Sequence, residues 1–192
     1  MTVRPSAIFA IIWIGWAISW LAASFWSART EKRVATWNVW ASRVAIFLGA
    51  LLLWHSARHL PDEARLWHVG SDGGYALAAL TLAGILFAWW ARLHLGRLWS
   101  SAITRKEDHR VVDTGPYRLV RHPIYTGLIG ALTATAAAQA TLTALLGAAL
   151  VAIGLWLKAR IEERFLTAEL GADAYGAYRR RVPMLVPFLP GG

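Results

Sequence analysis

The 192-residue chain contains no cysteine, which excludes disulfides and thiolate-bound metal sites. Charge is also scarce: Asp, Glu, Lys and Arg make up only 16% of the residues, against 57% hydrophobic. A soluble domain of this length would carry far more charge. The six histidines include no tight pair beside a carboxylate, so zinc and other metals are not expected. Internal repeats, low-complexity tracts and linkers are likewise missing, and residues 1–192 read as a single domain.

What is present is a series of long apolar runs. Mean hydropathy is +0.42, and twelve tryptophans in so short a chain fit the aromatic belts at membrane–water interfaces. A bilayer core of about 30 Å needs roughly 20 helical residues. Ser6 to Trp26 meets this in one uninterrupted run. Ala22-Ala23-Ser24 has the small residues of a cleavage site, but the run is long and Trp-rich and reads as a retained helix. Further spans are expected over Val39–Trp54, Gly74–Leu93, Ile124–Ala138 and Leu142–Leu157. Arg43 lies near the end of the second span and can snorkel to the interface. Pro123 suits the first turn of the fourth span, where a missing N–H costs nothing. The fifth should continue as a helix through Arg160, Glu163 and Leu166. Gly171 is a stop signal, and Asp173 a cap for a last short helix through Arg180. The expected fold is therefore an all-α integral membrane protein of about five transmembrane helices plus a C-terminal cytoplasmic helical tail. Residues 1–93 form spans one to three, and 94–192 hold spans four and five.

The distribution of the net charge of +9 sets an orientation. The basic residues cluster after span one (Arg29, Lys32, Arg33), between Arg92 and Arg121, and from Lys158 to Arg181. The alternate connectors carry little more than Arg58, Arg65 and Arg4. If the spans alternate, all the rich segments share one side. The positive-inside rule then puts the C-terminus in the cytoplasm and the N-terminus outside, as in a bacterial inner membrane. Since the basic residues flank apolar spans, topology and membrane lipids explain them, and nucleic acid is not an expected partner.

Two polar clusters fall on the expected cytoplasmic side. The first enters span four: Tyr117, Arg118, Arg121, His122 and Tyr125. Free N–H groups at a helix start, beside Arg and His, suit a carboxylate or phosphate. Arg118 and Arg121 could equally do no more than fix topology. His122 is harder to dismiss, because the residue before a proline is held extended and its ring is aimed away from the helix. The second cluster leaves span five: Lys158, Arg160, Glu162, Glu163 and Arg164. Arg160, Glu163 and Arg164 share a face, with Glu162 about 100° around the helix. One carboxylate could then point inward while the other meets water. A solvated, salt-bridged helix is the plainer reading. Tyr175 and Tyr178 share a face of the tail helix, where simple packing would also explain them.

Four motifs occur in order: Gly115-Pro116-Tyr117-Arg118, Arg121-His122-Pro123-Ile124-Tyr125-Thr126-Gly127, Glu162-Glu163, and Tyr175-x-x-Tyr178-x-x-Arg181-Val182-Pro183. Together they resemble the isoprenylcysteine carboxyl methyltransferase family and its bacterial relatives, within a wider membrane group that includes phospholipid methyltransferases. The likeness runs from about His94 to Pro187. It implies S-adenosylmethionine as methyl donor, held by the last two spans and the tail without a Rossmann fold. It also implies that Arg121, His122 and Tyr125 hold the donor, that Tyr117 and Arg118 support the loop, and that Glu162, Tyr175 and Tyr178 close over it. Aromatic faces and a carboxylate suit a sulfonium cation. Arg160 and Glu163 fall to the acceptor side as catalytic residues, with Lys158 the alternative for the basic position. Met184 stands where many relatives have arginine, which points to a changed acceptor site.

The implied function is methyl transfer to a lipophilic or amphipathic acceptor, with a prenylated, isoprenylcysteine-like carboxylate one candidate. An NADPH-dependent membrane reductase of the sterol-reductase type and a lipid-binding scaffold are the alternatives.

Overall fold

The computed structural model describes residues 4–25, 30–33, 37–61, 64–96, 99, 104–106, 112–170 and 172–189. Five long helices follow the five apolar runs: α1 (Pro5–Ser24), α2 (Trp37–His59), α3 (Ser71–Leu95), α4 (Pro123–Gln139) and α5 (Leu142–Leu170). A short α6 (Ala172–Arg181) closes the chain. Four of these helices (α1, α2, α3 and α5) are long and apolar enough to cross a membrane. α4, with 17 residues, is about 25 Å long and falls just short of a full-length span. The all-α membrane architecture is the one expected.

Several boundaries differ from expectation for local reasons. α2 runs past Trp54 to His59, because nothing in Trp54-His55-Ser56-Ala57-Arg58-His59 breaks a helix before Pro61. α5 is one continuous helix of 29 residues, about 43 Å long, so its last turns pass beyond a 30 Å core. Asp173 lies inside α6 instead of preceding it. Gly171 and Trp26 lie outside the described residues. Two basic connectors expected as loops pair as a small antiparallel ribbon, β1 (Thr30–Arg33) with β2 (Thr104–Lys106), Lys32 opposite Arg105.

The surface is apolar where lipid would contact it. Ile14, Phe47, Leu86 and Ile153 are exposed, while Ser42, Thr81, Arg92, Thr135, Thr141 and Glu163 are buried. Every backbone group along a spanning helix is paired within the helix, so the side chains alone meet the bilayer. α2 lies along α5 and α3 along α4; α4 touches α5, and α1 leans on α3.

Small residues permit these close crossings. A Cβ at Gly84 of α3 would stand 2.6 Å from the Gly127 carbonyl oxygen of α4. At the crossing of α2 and α5, a Cβ at Gly49 would stand 2.5 Å from the Gly147 carbonyl oxygen.

The ends of α1 and α3 that lead to the basic connectors are fastened by Arg92. It is buried, donates to the Ala23 and Gly96 carbonyls at 2.9 and 2.8 Å, and lies 4.3 Å from the Trp99 ring centroid. Trp20 of α1 packs edge-on against both Trp89 and Trp99. The start of α4 and the end of α5 lie at this same end of the bundle.

Candidate functional site

The start of α4 is built by its sequence. Pro123 occupies the first helical position and His122 caps it with φ −123° and ψ 63°. That non-helical backbone leaves the Arg121 and His122 N–H groups free to bond outward. They donate to the Pro183 and Met184 carbonyls at 2.8 and 3.1 Å, and Thr126 Oγ1 donates to the Leu185 carbonyl at 2.7 Å. The segment after α6 is thus laid along the α4 N-terminus. Met184, the departure noted in the sequence, contributes its backbone here.

Arg121 is the central fastening. Its Nε donates to Glu163 Oε1 at 2.6 Å, and its Nη1 donates to the Arg179 carbonyl at 2.8 Å and to the Val182 carbonyl. Both ends of the Arg121–Glu163 pair are buried, with side chains 3% and 5% exposed. Glu163 also lies 3.7 Å from Arg179 Nε and 3.4 Å from His122 Nε2.

Glu162 takes a different set of partners. Tyr125 donates its phenol to Glu162 Oε1 at 2.7 Å, while Lys158 Nζ stands 3.8 Å away and His122 Nδ1 3.6 Å away. The His122 ring is stacked on Tyr125, centroids 5.4 Å apart and planes within 3°. Lys158 Nζ is 5.3 Å from the Tyr125 ring centroid. His122 therefore sits between two successive carboxylates, each held by its own cation.

The tail tyrosines fix this arrangement from the other side. Tyr178 donates to the Tyr117 carbonyl at 2.7 Å, which anchors the 3₁₀ turn Gly115–Arg118. Tyr175 and Tyr178 pack edge-to-face at 5.9 Å, in a small apolar cluster with Val182 and Leu166. Tyr117 is stacked near His94 and donates to the Ala91 carbonyl at 3.4 Å. Burial raises the Tyr117, Tyr175 and Tyr178 phenols above their ordinary value, and for Tyr175 the nearby Glu163 carboxylate adds to this. All three are neutral near pH 7 and serve as hydrogen-bonding or packing groups.

Of the residues singled out from the sequence, Tyr117, Arg121, His122, Tyr125, Glu162, Glu163, Tyr175 and Tyr178 are brought together. Arg118 is exposed on the 3₁₀ turn and outside the cluster. Arg160 is also exposed, its guanidinium 5.6 Å from the Trp156 ring centroid. The reason is helix phase. Val151, Leu155, Ala159 and Glu163 make one buried row at four-residue spacing, and Arg160 falls beside it on the outer surface. Arg164 is exposed for the same reason.

One participant was missed: Arg179, which reaches Glu163 from α6. Arg181, already part of the tail motif, pairs at the surface with Asp113 at 3.2 Å. The signal was the run Arg179-Arg180-Arg181 ending a short helix, but which of the three turns inward depends on how α6 docks.

Two buried nitrogens in the cluster, His122 Nε2 and Arg179 Nε, have no hydrogen-bond partner among the described residues. At 3.4 and 3.7 Å their approaches to Glu163 are close contacts outside hydrogen-bond geometry. Among the described residues no group of His, Cys, Asp and Glu is placed to hold a metal ion.

The same region carries the similarity to known proteins. A model of the isoprenylcysteine carboxyl methyltransferase (ICMT) family matches residues 77–168. The chain is 31% identical over 169 residues to the cobalt-zinc-cadmium resistance protein CzcN of Cupriavidus metallidurans, covering 83% of this chain and 66% of that protein. It is 30% identical over 181 residues to methanethiol S-methyltransferase 1 of Bradyrhizobium diazoefficiens, covering 86% and 59%. It is 35% identical over 106 residues to the protein-S-isoprenylcysteine O-methyltransferase of Schizosaccharomyces pombe, covering 52% and 43%. The chain thus spans about two thirds or less of the length of these curated relatives. With the matched segment running from α3 through the Glu162-Glu163 pair of α5, the chain belongs to the isoprenylcysteine carboxyl methyltransferase family.

Proposed function

We propose that this protein is a membrane methyltransferase that moves a methyl group from S-adenosylmethionine to a lipophilic acceptor at the ionic end of the bundle. The observation that carries the reading is His122, stacked on Tyr125 between Glu162 and Glu163 under the tail. Family membership supports it, as do the relatives whose names describe methyl transfer to sulfur or to an isoprenylcysteine. The basic connectors at the same end support a cytoplasmic site with the N-terminus on the opposite side.

The residues present fit such a donor. His122 Nε2 and Arg179 Nε are buried and make no hydrogen bond among the described residues, so a carboxylate or hydroxyl of the donor has groups to meet there. The Tyr125 face and the Glu162 carboxylate are suitable neighbours for a sulfonium. S-Adenosylmethionine supplies an already activated methyl group, so neither a metal nor a covalent enzyme intermediate is needed. The protein's own part is alignment and exclusion of water.

Roles then divide by geometry. Arg121 and Glu163 neutralise one another in the interior and hold α5, α6 and the tail together, which makes them positioning residues. Tyr117, Tyr175 and Tyr178 support that frame, while His122, Tyr125 and Glu162 face the donor. Lys158, set at the Tyr125–Glu162 pair, is the acceptor-side cation, and Arg160 on the outer surface takes no part.

Calorimetric titration of the detergent-solubilised protein with adenosylhomocysteine, and separately with NADPH, tests the reading. Saturable binding of adenosylhomocysteine alone is expected. Binding of NADPH alone would transfer the protein to reduction chemistry, and binding of neither by folded protein would remove the enzymatic reading.

A further inference from the structure

A cavity of about 920 Å³ opens between α1 and α2, toward the end of the bundle remote from the ionic cluster. It exists because α1 leans on α3 and leaves α2 to α5. The later part of α4 and Val151 and Leu155 of α5 lie behind it. The lining is mostly apolar, and its polar groups are unevenly placed. Ser56, Arg58, Arg65, Gln139 and Thr141 gather at the outer rim. The inner end closes on Leu128 and Leu155, one helical turn short of Tyr125 and Lys158.

Two buried polar atoms of this lining have no hydrogen-bond partner among the described residues: Trp16 Nε1, a donor, and Gln139 Oε1, an acceptor. Other polar side chains of the wall pair with one another. Trp13 Nε1 donates to Thr135 at 3.1 Å, and Ser56 and Thr141 share a bond of 2.5 Å. The Trp13–Thr135 bond also sets a level between the antiparallel helices α1 and α4. From it, at 1.5 Å per residue, Trp16 lies deeper along α1 and Gln139 lies nearer the rim along α4. The backbone levels of Trp16 and Gln139 are therefore roughly 10 Å apart along the bundle.

We propose that the cavity holds one phospholipid drawn from the leaflet at this end. A hydroxyl of its headgroup donates to Gln139, an ester carbonyl accepts from Trp16, and an acyl chain runs toward Leu128 and Leu155. Three observations select this occupant. The depth is apolar in a protein whose surroundings are hydrocarbon, so a chain fits and water does not. The rim carries Arg58 and Arg65, whose charge suits a phosphate. Trp16 and Gln139 stand at different depths, one a donor and the other an acceptor, which suits an ester carbonyl and a headgroup hydroxyl on either side of a phosphate.

The headgroup then sits at the opposite end of the bundle from His122 and Glu162. The lipid is a resident component that joins α1 to α2, distinct from any methyl acceptor, and its presence does not depend on the methyltransferase reading.

Native mass spectrometry of the detergent-solubilised protein tests this, with phosphatidylglycerol or phosphatidylcholine of identical chains as probes. One phosphatidylglycerol per chain should be retained, in several-fold preference to phosphatidylcholine, which has no headgroup hydroxyl. Ala50→Trp, filling the cavity, should abolish retention. Gln139→Leu should lower it about fivefold, the worth of one ordinary hydrogen bond. Should Ala50→Trp not fold, Ala57→Trp blocks the same space from the rim. Adenosylhomocysteine binding should be unchanged in these variants, so that the lipid site and the donor site succeed or fail separately. Equal retention of both lipids, unaffected by filling the cavity, would overturn the proposal in favour of loosely surrounding lipid. Displacement of phosphatidylglycerol by a farnesylated cysteine would overturn it in favour of the acceptor's own tail.

Discussion

The two ends of the helix bundle solve the burial of polar groups in opposite ways. At one end, Arg121, Glu163, His122, Glu162 and Lys158 are packed so that each carboxylate has cations of its own, and the tail carbonyls take up the remaining donors. At the other, a short neutral bond between Ser56 and Thr141 closes α2 on the turn before α5, beside a largely apolar cavity. A charge buried beside a membrane span is costly unless it is paired and hydrogen-bonded, and removing one partner exposes that cost in full. A neutral hydroxyl bond carries no comparable penalty. The ionic end should therefore be sensitive to small chemical changes and the far end tolerant of them.

The largest effect is expected from Glu163→Ala. It leaves Arg121 buried without its carboxylate, and a loss of about 3–5 kcal/mol should appear as a lowered unfolding midpoint in detergent. A loss below that of an ordinary surface substitution would dissolve the contrast between the ends. Glu162→Gln should spare the fold but weaken adenosylhomocysteine roughly 10- to 100-fold by calorimetry, as expected for a charged hydrogen-bonding group. At the far end, Thr141→Val removes the bond to Ser56 and the cap that Thr141 Oγ1 gives to the Ala144 N–H. That should cost only about 1–2 kcal/mol in the same unfolding assay, with donor affinity unchanged. Arg160→Ala, on the outer surface, should alter stability by less than about 0.5 kcal/mol. It should leave methyl-donor affinity as it is, and a clear loss there would return Arg160 to the site.

Alkali sharpens the comparison with the least disturbance near neutrality. The Tyr117, Tyr175 and Tyr178 phenols are raised in the fold, so the unfolded chain loses its protons first. Their contribution to stability should be complete below about pH 10 and fall as pH rises beyond it. Unfolding midpoints should begin to fall at about pH 10, while these three phenols stay protonated until the protein unfolds. Phenolate appearing in folded protein at its ordinary pH would mean that the tail does not bury these rings.

The candidate site was legible in the sequence to an uneven degree. His122 could be singled out because a proline follows it, and that local constraint holds in the fold: its backbone is non-helical and its N–H reaches the tail. Glu162 and Glu163 could be named as a pair, with one expected to point inward. Which one could not be chosen, because spacing gives relative angles around a helix but not the direction of the bundle. The same ignorance of phase put Arg160 with Glu163, whereas the buried row through Leu155 and Ala159 includes only the carboxylate. Arg179 was invisible for a further reason: its role depends on how α6 docks on α5.

The sequence by itself determined five helical runs, the gathering of basic residues at one end, and the motifs that place this chain in its family. These are properties of neighbours along the chain, where hydropathy and turn chemistry act locally. Only the tertiary structure decided that Arg121 pairs with Glu163, that Lys158 and not Arg160 stands at the Tyr125–Glu162 pair, and that a cavity remains between α1 and α2. Each of these joins residues distant in sequence. Such contacts are set by the rotation of one helix against another, through close approaches such as Gly84 on Gly127 that no single helix encodes.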